Sequence, residues 1–485
     1  MTRTSQLIVG FFRLQLRIFF RRIEVTGLEN VPADGGGLIL SWHPNGVVDG
    51  ALILTHFPQL IVFGARHGIF KWPLLGWMMR QLGMVPIYRR SDMAEGASDA
   101  DRQANNRKSV DALAQAIVDH GFAALFPEGL SHDEPYLQDL KKGAAYLYYR
   151  AAELTPEGKP LPKILPVGLH YNRKTVFGSQ ALVAIHPPLE LEAELAEPAA
   201  EGEARREQAG RLTAEFERVL SEVVLATESW ELHNLMHRAR KLLRAEGASR
   251  TGARVRAPDM TERIRHFGSL WRHYEAGRQT HPDETTQLVA EVARYDEELS
   301  ALGIEDHELD GSSWLASPRR AGLLLLQMVV VYLVLPPFLI IGVLVNLPTA
   351  LLLLALSKGV SQMYKDEASV KILVGAIAFP LTWLLVALLV AWGENALAGI
   401  YPRMPEAPVL TGIVAFLLSA FGGVLALQYR RLAGETLRAV RVGLTRARRS
   451  TAVHRLKAAR SRLFDEFLAL DKRLALEAEP IEAKE

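Results

Sequence analysis

Apolar and polar positions follow different periods in successive parts of the chain. Residues 7–19 place Leu7, Ile8, Phe11, Phe12, Leu14, Ile18 and Phe19 among arginines spaced by about one helical turn. That is the pattern of an amphipathic helix, lying in a membrane interface or docked on a soluble core; we expect an interfacial helix over 1–22. Arg3, Arg13, Arg17, Arg21 and Arg22, with no acid among them, interrupt the apolar core that a cleaved signal peptide would need. From residue 23 the period shortens. The runs 23–26, 37–42, 59–63, 122–126, 164–170 and 181–186 read as strands and alternate with helix-like stretches such as 71–82 and 106–120. Strands interleaved with helices predict an α/β domain over 23–190, a sheet with flanking helices.

After Pro187-Pro188 the chain turns to Ala, Glu and Arg, and 191–318 reads as a helical region with a largely solvated charged face. The stretch 319–429 then holds three long apolar runs, 321–356, 370–393 and 408–428, against the roughly 20 residues that a helix needs to span a bilayer. The first run is too long for one straight span and contains Pro336-Pro337, Asn346 and Pro348. Charge favours a hairpin or re-entrant pair there. Arg319 and Arg320 precede it and Lys358, Lys365 and Lys371 follow it, so both ends carry the cytoplasmic signature. Arg403 between Glu394 and Glu406 marks the far side. Residues 430–462, with ten Arg and one Lys against Glu435 alone, return to the cytoplasmic side and open a helical tail, basic then acidic, over 430–485. A multi-pass membrane protein with a large water-facing part follows, with no sign of a nucleic-acid partner.

Composition adds one exclusion and little else. At 485 residues, 49% hydrophobic, 23% charged and with a formal charge of +2, the average is that of a globular chain. The absence of any cysteine removes disulfides, thiolate metal sites and a cysteine nucleophile. Chemistry must come from His, Asp, Glu and oxygen.

The run Leu38-Ile39-Leu40-Ser41-Trp42-His43 is an apolar strand ending in a histidine, and Asp49 follows six residues later across a turn. A carboxylate brought back onto the imidazole would hold one ring nitrogen as N–H and leave the other free to take a proton from a hydroxyl. A satisfied structural histidine is the plainer reading of His43 taken alone. Three later segments bear on the choice. Gly83-Met84-Val85-Pro86-Ile87-Tyr88-Arg89-Arg90 is a strand ending in two guanidiniums, side chains suited to gripping phosphate, or an ordinary basic strand end. Phe126-Pro127-Glu128-Gly129 ends another apolar strand at a turn that places Glu128 at the same sheet edge. Leu165-Pro166-Val167 lies in a later strand.

Taken in this order, the four segments resemble the four blocks of the glycerolipid acyltransferases, the family typified by lysophosphatidate and glycerol-3-phosphate acyltransferases, over about 25–190. The resemblance implies a glycerol-phosphate acyltransferase-like α/β fold and transfer of a fatty acyl group to glycerol-3-phosphate, dihydroxyacetone phosphate or a lysolipid. The donor would be acyl-CoA or acyl carrier protein, with no cofactor and no metal. It makes His43 the general base and Asp49 its orienting partner. Arg89, Glu128 and Gly129 would bind the acceptor, with Pro166 shaping the site and Lys141 a basic residue after the third block. Two departures, five residues between His43 and Asp49 and the continuation Leu130-Ser131-His132-Asp133, look like the fungal-type glycerol-3-phosphate and dihydroxyacetone-phosphate acyltransferases. Leu302-Gly303-Ile304-Glu305-Asp306-His307 and Ser369-Val370-Lys371-Ile372 echo the same subfamily.

Other chemistries fit less well. A serine hydrolase would need Gly-x-Ser-x-Gly, and Gly129-Leu130-Ser131-His132-Asp133 ends on the wrong residue. A metal hydrolase built on His43, Asp49, His132 and Asp133 lacks a second histidine at short helical spacing. A membrane scaffold would keep the apolar runs without needing the four blocks.

Overall fold

The computed structural model describes residues 2–59, 61–89, 98–119, 121–253, 258–310, 317–360, 367–401 and 407–478. Arg90, His120, Lys365, Arg403 and Glu406 lie outside the described residues. The chain divides into two units, one of Met1–Trp230, Asp259–Ile264 and Val360–Ile372, the other of Glu231–Pro258, Arg265–Gly359 and Leu373–Glu485.

The first unit runs through α1 (Arg3–Phe19), β1 (Phe20–Thr26), β2 (Gly37–Ser41), α2 (Val47–His56), β3 (Ile61–Arg66), α3 (Pro73–Gln81) and β4 (Val85–Ile87). It continues with α4 (Asp99–Val118), β5 (Phe122–Leu125), α5 (Gly143–Leu154), β6 (Lys163–Tyr171), β7 (Ser179–Ile185), α6 (Ala193–Ala196) and α7 (Glu203–Val224). The seven strands form one sheet in the order β1-β7-β6-β2-β5-β3-β4. Only β6 and β7 pair antiparallel; the other neighbours are parallel and need helical crossovers. Helices on both faces explain why all five residues of β2 are buried and why its sequence is an apolar run without alternation. On one face Leu38, Leu40, Ala123 and Ile164 pack with Leu113 of α4, Leu147 of α5 and Phe216 of α7. Thus α7, beyond the expected boundary at 190, completes this core.

The first helix docks on the α/β core. It buries Ile8, Phe12 and Leu16, spaced four residues apart, and packs on α2 and α3. Its Arg13 guanidinium donates to the Thr55 carbonyl at 2.8 Å, filling one of the acceptors that α2 leaves open at its C-terminus. Leu7, Leu14 and Ile18 remain exposed on the other side.

The sheet matters for function because β2, β5, β3, β4 and β6 all run the same way. Their carboxyl ends share one edge, the edge at which open α/β sheets carry their sites.

The second unit is helical: α8 (Trp230–Thr251), most of α9 (Met260–Thr280), α10 (Pro282–Leu302), α11 (Pro318–Val329), α12 (Leu335–Val360), α13 (Glu367–Ile400) from Leu373 onward, α14 (Pro408–Arg448) and α15 (Ser450–Ala478). Leu242, Leu288, Val292, Leu299, Leu456 and Leu463 form its water-excluded core. The Glu305-Asp306 motif is part of a buried ionic network there. Asp306 accepts from Arg238 at 2.7 Å and from the Tyr295 hydroxyl at 2.9 Å, and its carbonyl accepts from the buried Arg460 at 2.8 Å.

Among the described residues three stretches are long and apolar enough to cross a membrane: Pro318–Gly359, Glu367–Ile400 and Pro408–Arg448. The hairpin expected within 321–356 does not form, since Pro318–Gly359 is one continuous helical stretch of 42 residues. A π-helical turn at Val330–Val334 precedes Pro336-Pro337 and lets Leu335 bond back to Val330, five residues earlier. This turn falls where the two prolines deprive residues 332 and 333 of their α-helical donors, so the helix passes through the prolines without turning back. Gly342 and Gly422 bring α12 and α14 into backbone contact, close enough that a Cβ on Gly342 would lie 2.7 Å from Gly422 atoms.

Candidate active site

The loop that leaves β2 carries the site's chemistry. His43 Nδ1 lies 2.9 Å from one Asp49 oxygen, and the same oxygen accepts the Asn45 N–H at 2.6 Å. The other Asp49 oxygen accepts the Tyr171 hydroxyl from the end of β6. An ionised carboxylate only accepts, so Nδ1 carries the proton, and in the neutral ring Nε2 presents its lone pair. Among the described residues Nε2 has no hydrogen bond, and the His43 side chain is 18% exposed while that of Asp49 is 0%. The ring is further fixed by stacking on Phe126, centroids 4.0 Å apart and planes at 8°. Burial first, then the Asp49 carboxylate, holds the Tyr171 phenol well above the usual tyrosine range, so it remains a donor.

The structure places the third block beside this loop. Glu128 is 1% exposed. One of its oxygens accepts the His43 backbone N–H at 3.0 Å; the other accepts the Gln138 N–H at 3.0 Å and His132 Nε2 at 2.6 Å. His132 Nδ1 accepts the Glu134 N–H at 3.2 Å, which fixes the proton on Nε2. The His132 backbone N–H in turn donates to the His43 carbonyl at 3.1 Å. Glu128 is thus a buried clamp on the histidine loop, a different arrangement from direct contact with an acceptor. Gly129, at φ 70°, makes the turn that brings the clamp back, and exposed Lys141 lies at its rim, its N–H donating to the Pro127 carbonyl at 2.7 Å.

Arg89 follows β4 at the shared carboxyl edge, and Arg66 ends β3, the strand between β4 and β5. Pro166 is farther back. It is buried in β6 opposite Leu40, three residues before His43, and its carbonyl accepts the His186 N–H at 3.0 Å. Lacking an N–H, it closes the β6–β7 ladder there. Its place is in the sheet interior, away from the polar edge.

Several residues at this edge were not among the candidates the sequence offered. Tyr171, Asn45 and Lys174 all bear on the loop, the Lys174 ammonium donating to the Pro44 carbonyl at 2.7 Å. A polar residue closing the strand beside β2 is the only hint Tyr171 offered. The described residues contain no cluster of three or more His, Asp or Glu that could hold a metal ion.

The histidine loop lies at the carboxyl edge of an α/β sheet, within the segment that comparison with known proteins matches. The acyltransferase family model matches residues 22–170. This segment is an acyltransferase-family domain. The chain is 25% identical over 201 residues to the glycerol-3-phosphate O-acyltransferase 2 of Saccharomyces cerevisiae, a match covering 40% of this chain and 25% of that protein. It is 28% identical over 128 residues to the chloroplastic 1-acyl-sn-glycerol-3-phosphate acyltransferase BAT2 of Brassica napus, covering 26% of this chain and 33% of that protein. The match thus spans a third or less of these relatives' length. Among solved structures, the 1-acyl-sn-glycerophosphate acyltransferase PlsC of Thermotoga maritima is similar at 17% identity and a TM-score of 0.30, covering 44% of this chain and 79% of that one.

Proposed function

We propose that this chain is a membrane-bound O-acyltransferase that moves a fatty acyl group from an acyl thioester, carried by CoA or acyl carrier protein, to glycerol-3-phosphate or dihydroxyacetone phosphate. The observation that carries the reading is the His43–Asp49 pair, with Nδ1 bonded to the buried carboxylate and Nε2 open. His43 Nε2 takes the proton of an acceptor hydroxyl as that oxygen attacks the thioester carbonyl. The tetrahedral intermediate collapses, the thiolate leaves, and the imidazolium returns the proton to it. Asp49 keeps the tautomer and stabilises the imidazolium, and Tyr171 and Asn45 hold Asp49. Arg89 grips the acceptor phosphate, with Gly129 and Lys141 at the rim and Pro166 supporting the strand behind. No acyl-enzyme forms, and no cofactor or metal takes part. The active site faces the cytoplasm, where the thioester pool lies, and the product enters the bilayer.

A lysolipid acceptor is the second reading, favoured by the likeness to a protein named for 1-acyl-sn-glycerol-3-phosphate. Purified protein with acyl-CoA, offered glycerol-3-phosphate, dihydroxyacetone phosphate and lysophosphatidate in parallel, decides between them. His43→Ala is expected to lower kcat by about 10² to 10⁴. Near wild-type turnover in that variant, or a trapped acyl-enzyme, defeats the mechanism.

A further inference from the structure

The stretch Ser369-Val370-Lys371-Ile372 opens α13, a candidate membrane-crossing helix, yet residues 367–372 belong to the α/β unit. Ser369 is 6% exposed. Its hydroxyl accepts the Val47 N–H at 3.1 Å and lies 3.4 Å from the Asn45 carbonyl, to which it donates. Val47 is the first residue of α2, and its N–H is one of those a helix leaves without an internal acceptor. Gly46, at the capping position, has no side chain to supply one. Ser369 therefore does from 322 positions away what an N-capping serine does locally.

The capped loop is the one that carries His43. Asn45, whose carbonyl Ser369 engages, donates its own N–H to the Asp49 oxygen that also meets His43 Nδ1. On the loop's other side Lys174 holds the Pro44 carbonyl, and the neighbouring Thr175 carbonyl accepts from Lys371 at 2.9 Å. One turn of α13 thus holds both the histidine loop and the segment that grips it.

We infer that the first turn of α13 is a latch on the catalytic loop, with Ser369 a positioning residue that sets the His43–Asp49 geometry through Asn45 and Val47. Acyl transfer is thereby coupled to the seating of a membrane helix. The inference rests on the proposed role of His43. A contact that served folding alone would change the yield of folded protein and leave the kcat of each folded molecule, and the reactivity of its His43, untouched.

The test uses the full-length protein in lipid nanodiscs. Ser369→Ala is expected to lower kcat about five- to tenfold, with donor and acceptor KM changed less than about twofold. Ser369→Thr, which keeps the hydroxyl, restores most of the rate. Independently of turnover, the rate at which diethylpyrocarbonate modifies His43, followed by mass spectrometry, is expected to change in Ser369→Ala and return in Ser369→Thr. If Ser369→Ala does not fold, Lys371→Met, which releases the other arm of the latch, is read in the same two ways. Wild-type kcat and His43 reactivity in the folded variant overturn the latch and leave the acyltransferase reading standing. A wild-type protein that transfers no acyl group, but whose His43 reactivity still depends on Ser369, overturns the acyltransferase reading and keeps the latch.

Discussion

At the scale of single residues, the site separates into groups that do chemistry and groups that hold them, and the two respond differently to mutation. Glu128, with three protein donors on its two oxygens, and Asp49, likewise with three, are spent on the loop itself. The proposed function assigns recognition of an anionic acceptor to Arg89, which follows β4 at the same edge. Arg89→Ala is expected to raise the acceptor KM about tenfold or more, with the donor KM nearly unchanged, because a charge-assisted contact to phosphate is lost. Arg89→Lys should rescue poorly if the grip is two-pronged. Steady-state kinetics with each substrate varied in turn checks this; equal changes in both KM values count against it. His43 and Asp49 were legible as a pair because six residues separate them and a turn lies between. The clamp role of Glu128 was not, because its bond to the His43 N–H joins positions 85 apart, and nothing local distinguishes a carboxylate that holds a loop from one that meets a substrate.

Among the elements, short apolar strands such as β2 were legible, and the buried helix α2 was not. The strands showed as short apolar runs interleaved with helix-like stretches, whereas α2 (VVDGALILTH) is apolar nearly throughout, has no polar stripe, and could not be told from a strand. The break read at Pro336-Pro337 was a local π turn, because a proline removes a donor without dictating whether the chain reverses. The helical unit yields a prediction about acid. His233 of α8 packs its ring against His237 and Phe267, centroids 4.8 and 4.9 Å away, and burial lowers its pKa from 6.5 to about 4. Below pH 6.5 the unfolded chain takes up a proton on this group that the folded one refuses. Its contribution is therefore fully present above pH 6.5 and is lost as pH falls towards 4. At pH 5 the loss amounts to about 2 kcal/mol. Denaturant unfolding in detergent at pH 7.5 and pH 5 should show wild type losing that much more than His233→Gln. Identical pH dependence in the two proteins would refute the assignment.

For the molecule as a whole, the question is which face of the bilayer each segment meets, and the Ser369 contact constrains it. Residues 367–372 touch the catalytic loop, so α13 starts on the face where His43 lies. Arg319 and Arg320 before the first apolar run and Lys358 and Lys371 after it carry the same charge signature, so both ends of Pro318–Gly359 are expected on that face. On that expectation its 42 residues, roughly 63 Å at the helical rise, make no net crossing. The predicted topology then has α13 cross outward and α14 cross back, and puts the basic stretch 430–462 on the face of the α/β unit, as the positive-inside bias expects of a cytoplasmic segment. A chain without cysteine allows a direct test: Glu157→Cys in the loop after α5, Tyr401→Cys at the end of α13 and Ser450→Cys at the start of α15, each labelled from either side of sealed vesicles with an impermeant thiol reagent. The expected outcome is that positions 157 and 450 label from one face and 401 from the other. If 157 and 450 label from opposite faces, Pro318–Gly359 completes a crossing of its own, and the first turn of α13 cannot sit on the catalytic loop in the membrane-embedded protein.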